Sequence, residues 1–276
     1  MDKVLEVENL SRVYGTGCPF CFELTGPEHD TNICPNCSSV VAAHNVSFKL
    51  YQGEILGIMG ESGSGKSTAV KCLYFDQEPS SGRAVFHDQG IQYDLFSLNA
   101  AQQRRLANHR FGMVYQNPHL GLNFDITAGG NIAERLLMSD VNNFSDMRSR
   151  ARTLLTRTEV LSEWMDELPK HFSGGMQQRV QIAKALATNP PLLFLDEVTT
   201  GLDLSVQAAI LDLILEIQQE MGTAMIVVTH DLGVIRLLAG RTMVMKYGRV
   251  IESGLTDQIL EDPQHAYTQR LVASAL

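Results

Sequence analysis

The sequence predicts an α/β fold built on a mostly parallel core sheet, and three observations carry that expectation. The runs EILGIMG, PLLFLDE and AMIVVTH are apolar enough to be strands buried on both faces. Helix-like stretches separate them, so strands and helices alternate. A glycine-rich turn over residues 60–65 joins the first of these strands to a helix.

Taken in order, residues 5–14 read as a strand. Residues 15–41 carry four cysteines and many turn formers but few periodic apolar positions, which marks them as an insertion. Alternation in VSFKL restores strand character before EILGIMG. A segment over 117–184 is mostly helical, with polar loops at VNNFSD and around Pro169. The spacing predicts a further helix over 206–221, ended by Gly222. RTMVMKYGRVIESG reads as a hairpin, and residues 255–276 as an amphipathic tail of helix and loop.

Composition limits the classes of function. The chain has 276 residues, 44% hydrophobic and 19% charged, an ordinary globular balance that excludes disorder, collagen and coiled coil. Lys plus Arg is 22 and Asp plus Glu is 31, a net charge of −9, the opposite of the basic footprint of a nucleic-acid or anionic-membrane binder. Arg104-Arg105 and Arg148, Arg150 and Arg152 read as solvated helix faces. Apolar runs such as LLFL fall far short of the roughly 20 residues that cross a bilayer. The N-terminal MDKVLEVENL mixes both charge signs and lacks an apolar core, so it is not a secretory leader. The expectation is a cytoplasmic protein with no nucleic-acid partner and no membrane insertion.

Four of the five cysteines form two CxxC pairs, Cys18 with Cys21 and Cys34 with Cys37, twelve residues apart. Two thiolates on one tight turn can bind a single ion at about 2.3 Å, and two such turns complete a tetrahedron, the arrangement of structural Zn2+. Iron is the alternative ion. A redox CxxC normally occurs singly beside a βαβ unit, which argues against paired redox turns. Cys72, in a helical stretch, reads as a small buried apolar residue.

Gly60-Glu-Ser-Gly-Ser-Gly-Lys-Ser67 fits GxxxxGK[ST] and sits between a buried strand and a helix, the context that motif requires. Its glycines let backbone N–H groups turn inward around phosphate oxygens, and the helix adds its positive dipole end. Gly60, Ser62, Gly63, Ser64 and Gly65 form this cradle. Lys66 is placed to reach the β- and γ-phosphates, Ser67 to ligate Mg2+, and Thr68 to add a phosphate contact. Further on, LLFLDE is an apolar strand ending in two carboxylates. Asp196 is expected to hold Mg2+ through water and Glu197 to act as general base on the attacking water.

Phe172-Ser-Gly-Gly-Met-Gln-Gln-Arg179, placed before that strand, resembles the signature motif of ABC-type ATPases. The resemblance implies that Ser173 caps a helix whose N-terminus, with Gly174 and Gly175 and with Gln177 nearby, binds the γ-phosphate held by a second subunit. Two ATP would then lie in the seam of a head-to-tail homodimer or of a pair with a paralogous ABC subunit. It further implies that Gln116 in MVYQNP is the Q-loop residue and a Mg2+ contact, Asp203 in GLD the D-loop residue, and His230 in VVTHD the switch histidine. Tyr14 looks like the aromatic that stacks on adenine. The implied fold is the P-loop NTPase fold of one ABC ATPase domain over 1–276. It has a mostly parallel core sheet, an antiparallel β subdomain and a helical signature subdomain over 117–184; the resemblance does not cover residues 15–41, which the cysteine spacing marks as a zinc-ribbon-like insertion. Val198 stands where that family usually carries proline after the catalytic glutamate, and the expected consequence is a small shift of Glu197 without loss of activity.

Within that family, ITAGGNIAERLL, HFSGGMQQRVQIAKAL, VVTHDLGVIRLLAGRTMVMKYGRVIESGLTDQIL and YTQRLVASAL resemble the ATP-binding subunits of the phosphonate carbon–phosphorus lyase machinery. This implies an ATPase that docks on a soluble lyase core complex and supplies ATP turnover, while the core breaks the C–P bond. The tail also resembles peptide-importer ATPases, so an oligopeptide, dipeptide or nickel importer subunit is the alternative. A nucleotide-gated clamp of nucleic-acid repair, whose members also carry zinc modules, is a third, disfavoured by the charge. The groove beside Gln116, over 120–131, is where a partner is expected.

Overall fold

A computed structural model describes residues 2–274. Met1, Ala275 and Leu276, and with them the extreme ends of the expected domain and tail, lie outside the described residues. Along the chain run β1 (Lys3–Tyr14), β2 (Val40–Tyr51), β3 (Ile55–Met59), α1 (Lys66–Leu73), β4 (Ser81–Asp88) and β5 (Ile91–Asp94). Next come α2 (Ala100–His109), β6 (Phe111–Val114), α3 (Pro118–Gly121), α4 (Ala128–Leu137), α5 (Phe144–Arg157), α6 (Gly174–Ala185) and β7 (Leu192–Asp196). The chain ends with α7 (Leu204–Met221), β8 (Ala224–Thr229), α8 (Leu232–Leu238), β9 (Arg241–Lys246), β10 (Arg249–Leu255), α9 (Thr256–Glu261) and α10 (Ala266–Ala273).

The chain divides into two compact units, residues 1–99 with 226–276 and residues 100–225. In the first, β2, β1, β4 and β5 form an antiparallel sheet in that order. β3 pairs parallel with β9, which pairs antiparallel with β10, and β8 flanks β3. Every residue of β3 is buried, as its unbroken apolar run requires. The β9–β10 hairpin turns through Tyr247 and Gly248, both at positive φ (46° and 80°), the two-residue turn whose twist matches that of the strands.

β2 begins at Val40, earlier than the alternation in VSFKL suggests. Val41 and Val40 pair with Val13 and Tyr14, so the last two residues of the expected insertion belong to a β1–β2 hairpin and residues 15–39 fill its tip. Leu255 likewise closes β10, and the tail proper starts with α9.

In the second unit β6 and β7 pair in parallel, and Phe111 packs edge-on against Phe194 with ring centroids 5.9 Å apart. Each ring is fully buried, worth roughly 2–3 kcal/mol by transfer from water. Four of its helices start on the following side-chain caps. Thr127, Asn143, Ser173 and Asp203 each accept a backbone N–H of the first turn of α4, α5, α6 and α7. Gly222 at φ 61° ends α7 as expected. Among the described residues no helix is long and apolar enough to cross a membrane.

Candidate functional site

In the first unit the phosphate loop curls between β3 and α1. Gly65 is the N-cap of α1 at φ 103°, and a Cβ there would lie 1.9 Å from the Ala42 carbonyl oxygen, so only glycine fits. Gly60 and Gly63 also have positive φ. Lys66 is 4% exposed, and its ammonium donates to the carbonyls of Gly60 (2.7 Å) and Glu61 (2.8 Å) and to Ser64 Oγ (3.4 Å). Ser64 is buried, Ser62 is exposed, and Ser67 and Thr68 lie half-buried in the first turn of α1. His230 directly follows β8 and is exposed. Tyr14 ends β1. Its hydroxyl bonds Gln77 Oε1, and the Arg12 guanidinium lies 4.8 Å from its ring centroid, so one ring face already has a cation against it. Cys72 is buried in α1, the small apolar residue expected.

The four cysteines of the β1–β2 tip converge. Their sulfurs all lie within 4.8 Å of one another, with Cys18 to Cys34 and to Cys21 at 3.6 Å and Cys21 to Cys37 at 3.4 Å. A tetrahedron of thiolates about 2.3 Å from one ion has sulfurs about 3.8 Å apart, so the cluster is built to the size of a metal site. Burial pushes the Cys21 thiol up to about 12, while hydrogen bonding from Ser39 draws Cys37 down to about 6. A bound cation favours the thiolate at both. Cys21, Cys34 and Val41 form a small core on which Val13 and Phe22 pack.

In the second unit Asp196 is the buried last residue of β7, and Glu197 follows at φ 48°, a left-handed conformation that costs a side-chain-bearing residue of order 1 kcal/mol. Gln116 Nε2 donates to Glu197 Oε2 at 2.9 Å, and the Thr200 hydroxyl donates to the same oxygen at 3.3 Å. Val198 is buried. The Q-loop glutamine and the general base expected from sequence are therefore in direct contact. Ser173 Oγ accepts from Met176 N–H at 3.4 Å as the cap of α6, with Gly174 exposed beside it. A Cβ at Gly175 would meet Val206 Cγ1 at 2.8 Å, so glycine lets α6 and α7 approach there. The side chains of two expected nucleotide contacts turn to their own backbone. The Gln177 amide donates to the carbonyls of Pro169 (3.0 Å) and Phe172 (3.1 Å), bracing the loop before the signature. Asp203 Oδ1 accepts from Ser205 Oγ (2.7 Å) and Val206 N–H (3.0 Å), and these bonds hold its carboxyl below the usual range.

Two buried amides escaped the sequence reading. Gln181, 1% exposed, accepts from Tyr115 N–H at 2.6 Å and donates to Tyr115 C=O at 3.1 Å, so α6 grips the residue before Gln116 by both backbone groups. Asn131, wholly buried, accepts from Asn123 N–H and donates to the carbonyls of Asn123 and Thr127, tying the turn after α3 to α4. A glutamine or asparagine within an otherwise apolar helix face was the available signal, because a buried amide must find partners.

The family model described as ABC transporter matches residues 43–200, more than half of the chain, and an AAA domain model matches residues 165–236. The chain is 48% identical over 84% of its length to the phosphonates utilization ATP-binding protein PhnK of Escherichia coli strain K12, covering 90% of that protein. It is 34% identical over 85% of its length to the dipeptide transport ATP-binding protein DppF of Haemophilus influenzae, covering 70% of it. Among solved structures it resembles the dimeric post-hydrolysis state of the ATP-binding cassette MJ0796 bound to ADP and Pi. That match has a TM-score of 0.76 and 28% identity, over 91% of this chain and 98% of that one. The chain therefore belongs to the ABC family and is an ABC-type ATPase, an ATP hydrolase with the P-loop cassette fold.

Proposed function

We propose that this ATPase is the ATP-hydrolysing subunit of a cytoplasmic phosphonate carbon–phosphorus lyase machinery, pairing around two ATP and docking on the soluble lyase core. The observation that carries this reading is the 48% identity across nine-tenths of the E. coli phosphonates utilization protein, against 34% to the dipeptide transport protein. In this proposal Lys66 and the inward amides of Gly63 and Gly65 bind the β- and γ-phosphates, and Tyr14 offers its ring to adenine. The hydroxyl of Ser67, the carboxylate of Asp196 and the amide oxygen of Gln116 are hard oxygen donors that suit Mg2+, which neutralises phosphate charge when bound. Glu197 accepts the proton of the attacking water, oriented by its bond to Gln116. His230 contacts the γ-phosphate. Ser173, Gly174 and Gly175 of the mate close on the same phosphate from the N-terminus of α6. Asp203 acts through the cap of α7, and Gln177 through the loop before the signature. Loss of the γ-phosphate removes the bridge between subunits, and the difference in affinity of the closed pair for ATP over ADP drives the partner.

Purification of the tagged chain from its native source without detergent is the test. A soluble heteromeric complex is the expected result, and a hydrophobic permease partner overturns the reading in favour of the importer alternative, whose support is the similarity to the dipeptide transport protein. Exposed Leu120 on α3, four residues after Gln116, is the surface offered to either partner. For the cysteine cluster we propose structural Zn2+, since four thiolates leave no open position for catalysis. Metal analysis is expected to give about one equivalent per chain, lost in Cys18→Ser, and absence of metal from the native protein would remove the assignment.

A further inference from the structure

The cysteine-bearing tip does not stand away from the phosphate loop. Asn32, two residues before Cys34, donates from Nδ2 to the Gly63 carbonyl at 3.4 Å, and its own carbonyl accepts from Val41 N–H at 2.8 Å. Asp30 pairs with Lys246 at 2.9 Å, and Arg249 donates to the carbonyls of Phe22 (2.5 Å) and Thr25 (3.0 Å). Lys246 and Arg249 flank the β9–β10 turn, where Gly248 N–H donates to the Ser64 carbonyl at 2.9 Å. The ring of Phe22 stacks on His44 of β2 with centroids 4.1 Å apart. The insertion thus meets the loop directly through Asn32 and indirectly through the hairpin turn.

We propose that the metal-holding insertion is a brace for the phosphate loop, with Asn32 as a positioning residue for nucleotide, so that occupancy of the four-cysteine site sets ATP affinity. This rests on the reading of the cluster as a metal site and of the loop as the nucleotide site. A phosphate cradle needs its N–H groups facing in, which obliges the opposing carbonyls to face out. Gly63, at φ 80° with nothing within 4 Å of where a Cβ would be, is the part of the loop that side-chain packing restrains least. The Ser64 N–H of the same peptide plane donates to the Glu61 carbonyl at 3.2 Å, and the Asn32 donor on the Gly63 carbonyl holds the opposite edge of that plane before nucleotide arrives; preorganisation of that kind lowers the cost of binding. Asn32 is held to β2 by the bond from Val41 N–H, and two residues on the cluster anchors the same stretch at Cys34. The small core around it consists of Cys21, Cys34 and Val41, with Val13, Cys18, Phe22 and Cys37 packed on it, so four of its seven members are the thiols themselves. Ligation to one ion replaces loose thiol contacts with four bonds and holds Cys34, and with it the strand-like stretch from Asn32, against β2.

The experiment measures the dissociation constant of the Mg2+ complex of a non-hydrolysable ATP analogue, alongside metal content, for the full-length chain, the chain stripped of thiolate-bound metal and returned to Mg2+, and Asn32→Ala. Loss of one hydrogen bond of this kind corresponds to about a three- to five-fold rise in the dissociation constant for Asn32→Ala with metal retained, and in a parallel assay of ATP hydrolysis the change appears in KM rather than kcat. Stripping is expected to cost at least as much, and in the stripped protein Asn32→Ala should add nothing further. If stripping unfolds the chain, the comparison of Asn32→Ala with the native chain still decides. Equal affinity in those two overturns the brace. A native chain that binds nucleotide but holds no metal overturns the cluster reading, one that holds metal but binds no nucleotide overturns the nucleotide reading, and either takes the proposal with it.

Discussion

The phosphate loop and the carboxylate–signature region solve the same problem of holding a few groups still, but in opposite ways. The loop is eight consecutive residues whose shape is fixed by backbone conformation, with Gly65 pressed against the Ala42 carbonyl and Lys66 held by the carbonyls of Gly60 and Glu61. The other region brings Gln116 against Glu197, 81 positions away in sequence, with Ser173 capping α6 separately. Buried side-chain amides steady it, above all Gln181 clasping both backbone groups of Tyr115. A contiguous site carries its geometry in its glycines. A dispersed one carries it in residues that touch no ligand.

Substitutions can break that contrast or sharpen it. The largest effect is expected from Glu197→Gln, which removes the proposed general base but keeps an acceptor for Gln116. Turnover should fall by roughly 10²–10⁴ while ATP binding and pairing persist, and wild-type hydrolysis in that variant would show the base to be another residue. Lys66→Ala removes the buried ammonium from the local site, and nucleotide affinity should drop by about ten- to a hundred-fold, since charge-assisted bonds to phosphate are the strong ones. Binding titrations that leave the constant unchanged would detach Lys66 from its role.

Gln181→Leu keeps volume but takes the Gln181 acceptor from the Tyr115 N–H, while the Tyr115 C=O keeps its bond from Gln178 Nε2, a cost of about 1–3 kcal/mol. Thermal denaturation should show the loss, and kcat should fall even at temperatures where the chain is folded, because Gln116 loses its anchor. A variant that is destabilised but keeps full kcat would make Gln181 a purely structural residue. The smallest effect belongs to Asp203→Asn, since asparagine caps nearly as well as aspartate. Bonds from Ser205 and from the Val206 amide hold the Asp203 carboxyl below its usual value of 3.8, so its stabilisation is present at neutral pH and is lost as pH falls through the lowered folded value. In Asp203→Asn that part of the acid sensitivity should vanish from denaturation curves taken below pH 4, the value of an unperturbed carboxylate.

Legibility in the sequence followed the same division. β3, β7 and β8 were legible because a strand covered on both faces is an unbroken apolar run, and the β9–β10 hairpin because its turn residues interrupt such a pattern. β5 was not, since it is a four-residue strand, exposed over Ile91 and Gln92, with no periodicity to display. β6, although fully buried, is only four residues long and gives too short a run to tell strand from helix. The edge of the insertion was misplaced by two residues because Val40 and Val41 read equally well as loop or strand until Tyr14 and Val13 are seen opposite them. Gln177 and Asp203 were legible as members of motifs, but not as residues whose polar atoms are already bonded to neighbouring backbone.

By itself the sequence determined what the backbone must do over short distances: the glycine cradle, the paired CxxC turns, the capped start of α6 and the strands too apolar to face water. Each of these depends on a residue's own steric freedom or chemistry, which neighbours in sequence suffice to reveal. Only the tertiary structure decided that Gln116 meets Glu197, that Gln181 holds Tyr115 and that Asn32 reaches the Gly63 carbonyl. Those contacts join residues 81, 66 and 31 positions apart, and a hydrogen bond has a range of a few ångströms and no memory of separation along the chain.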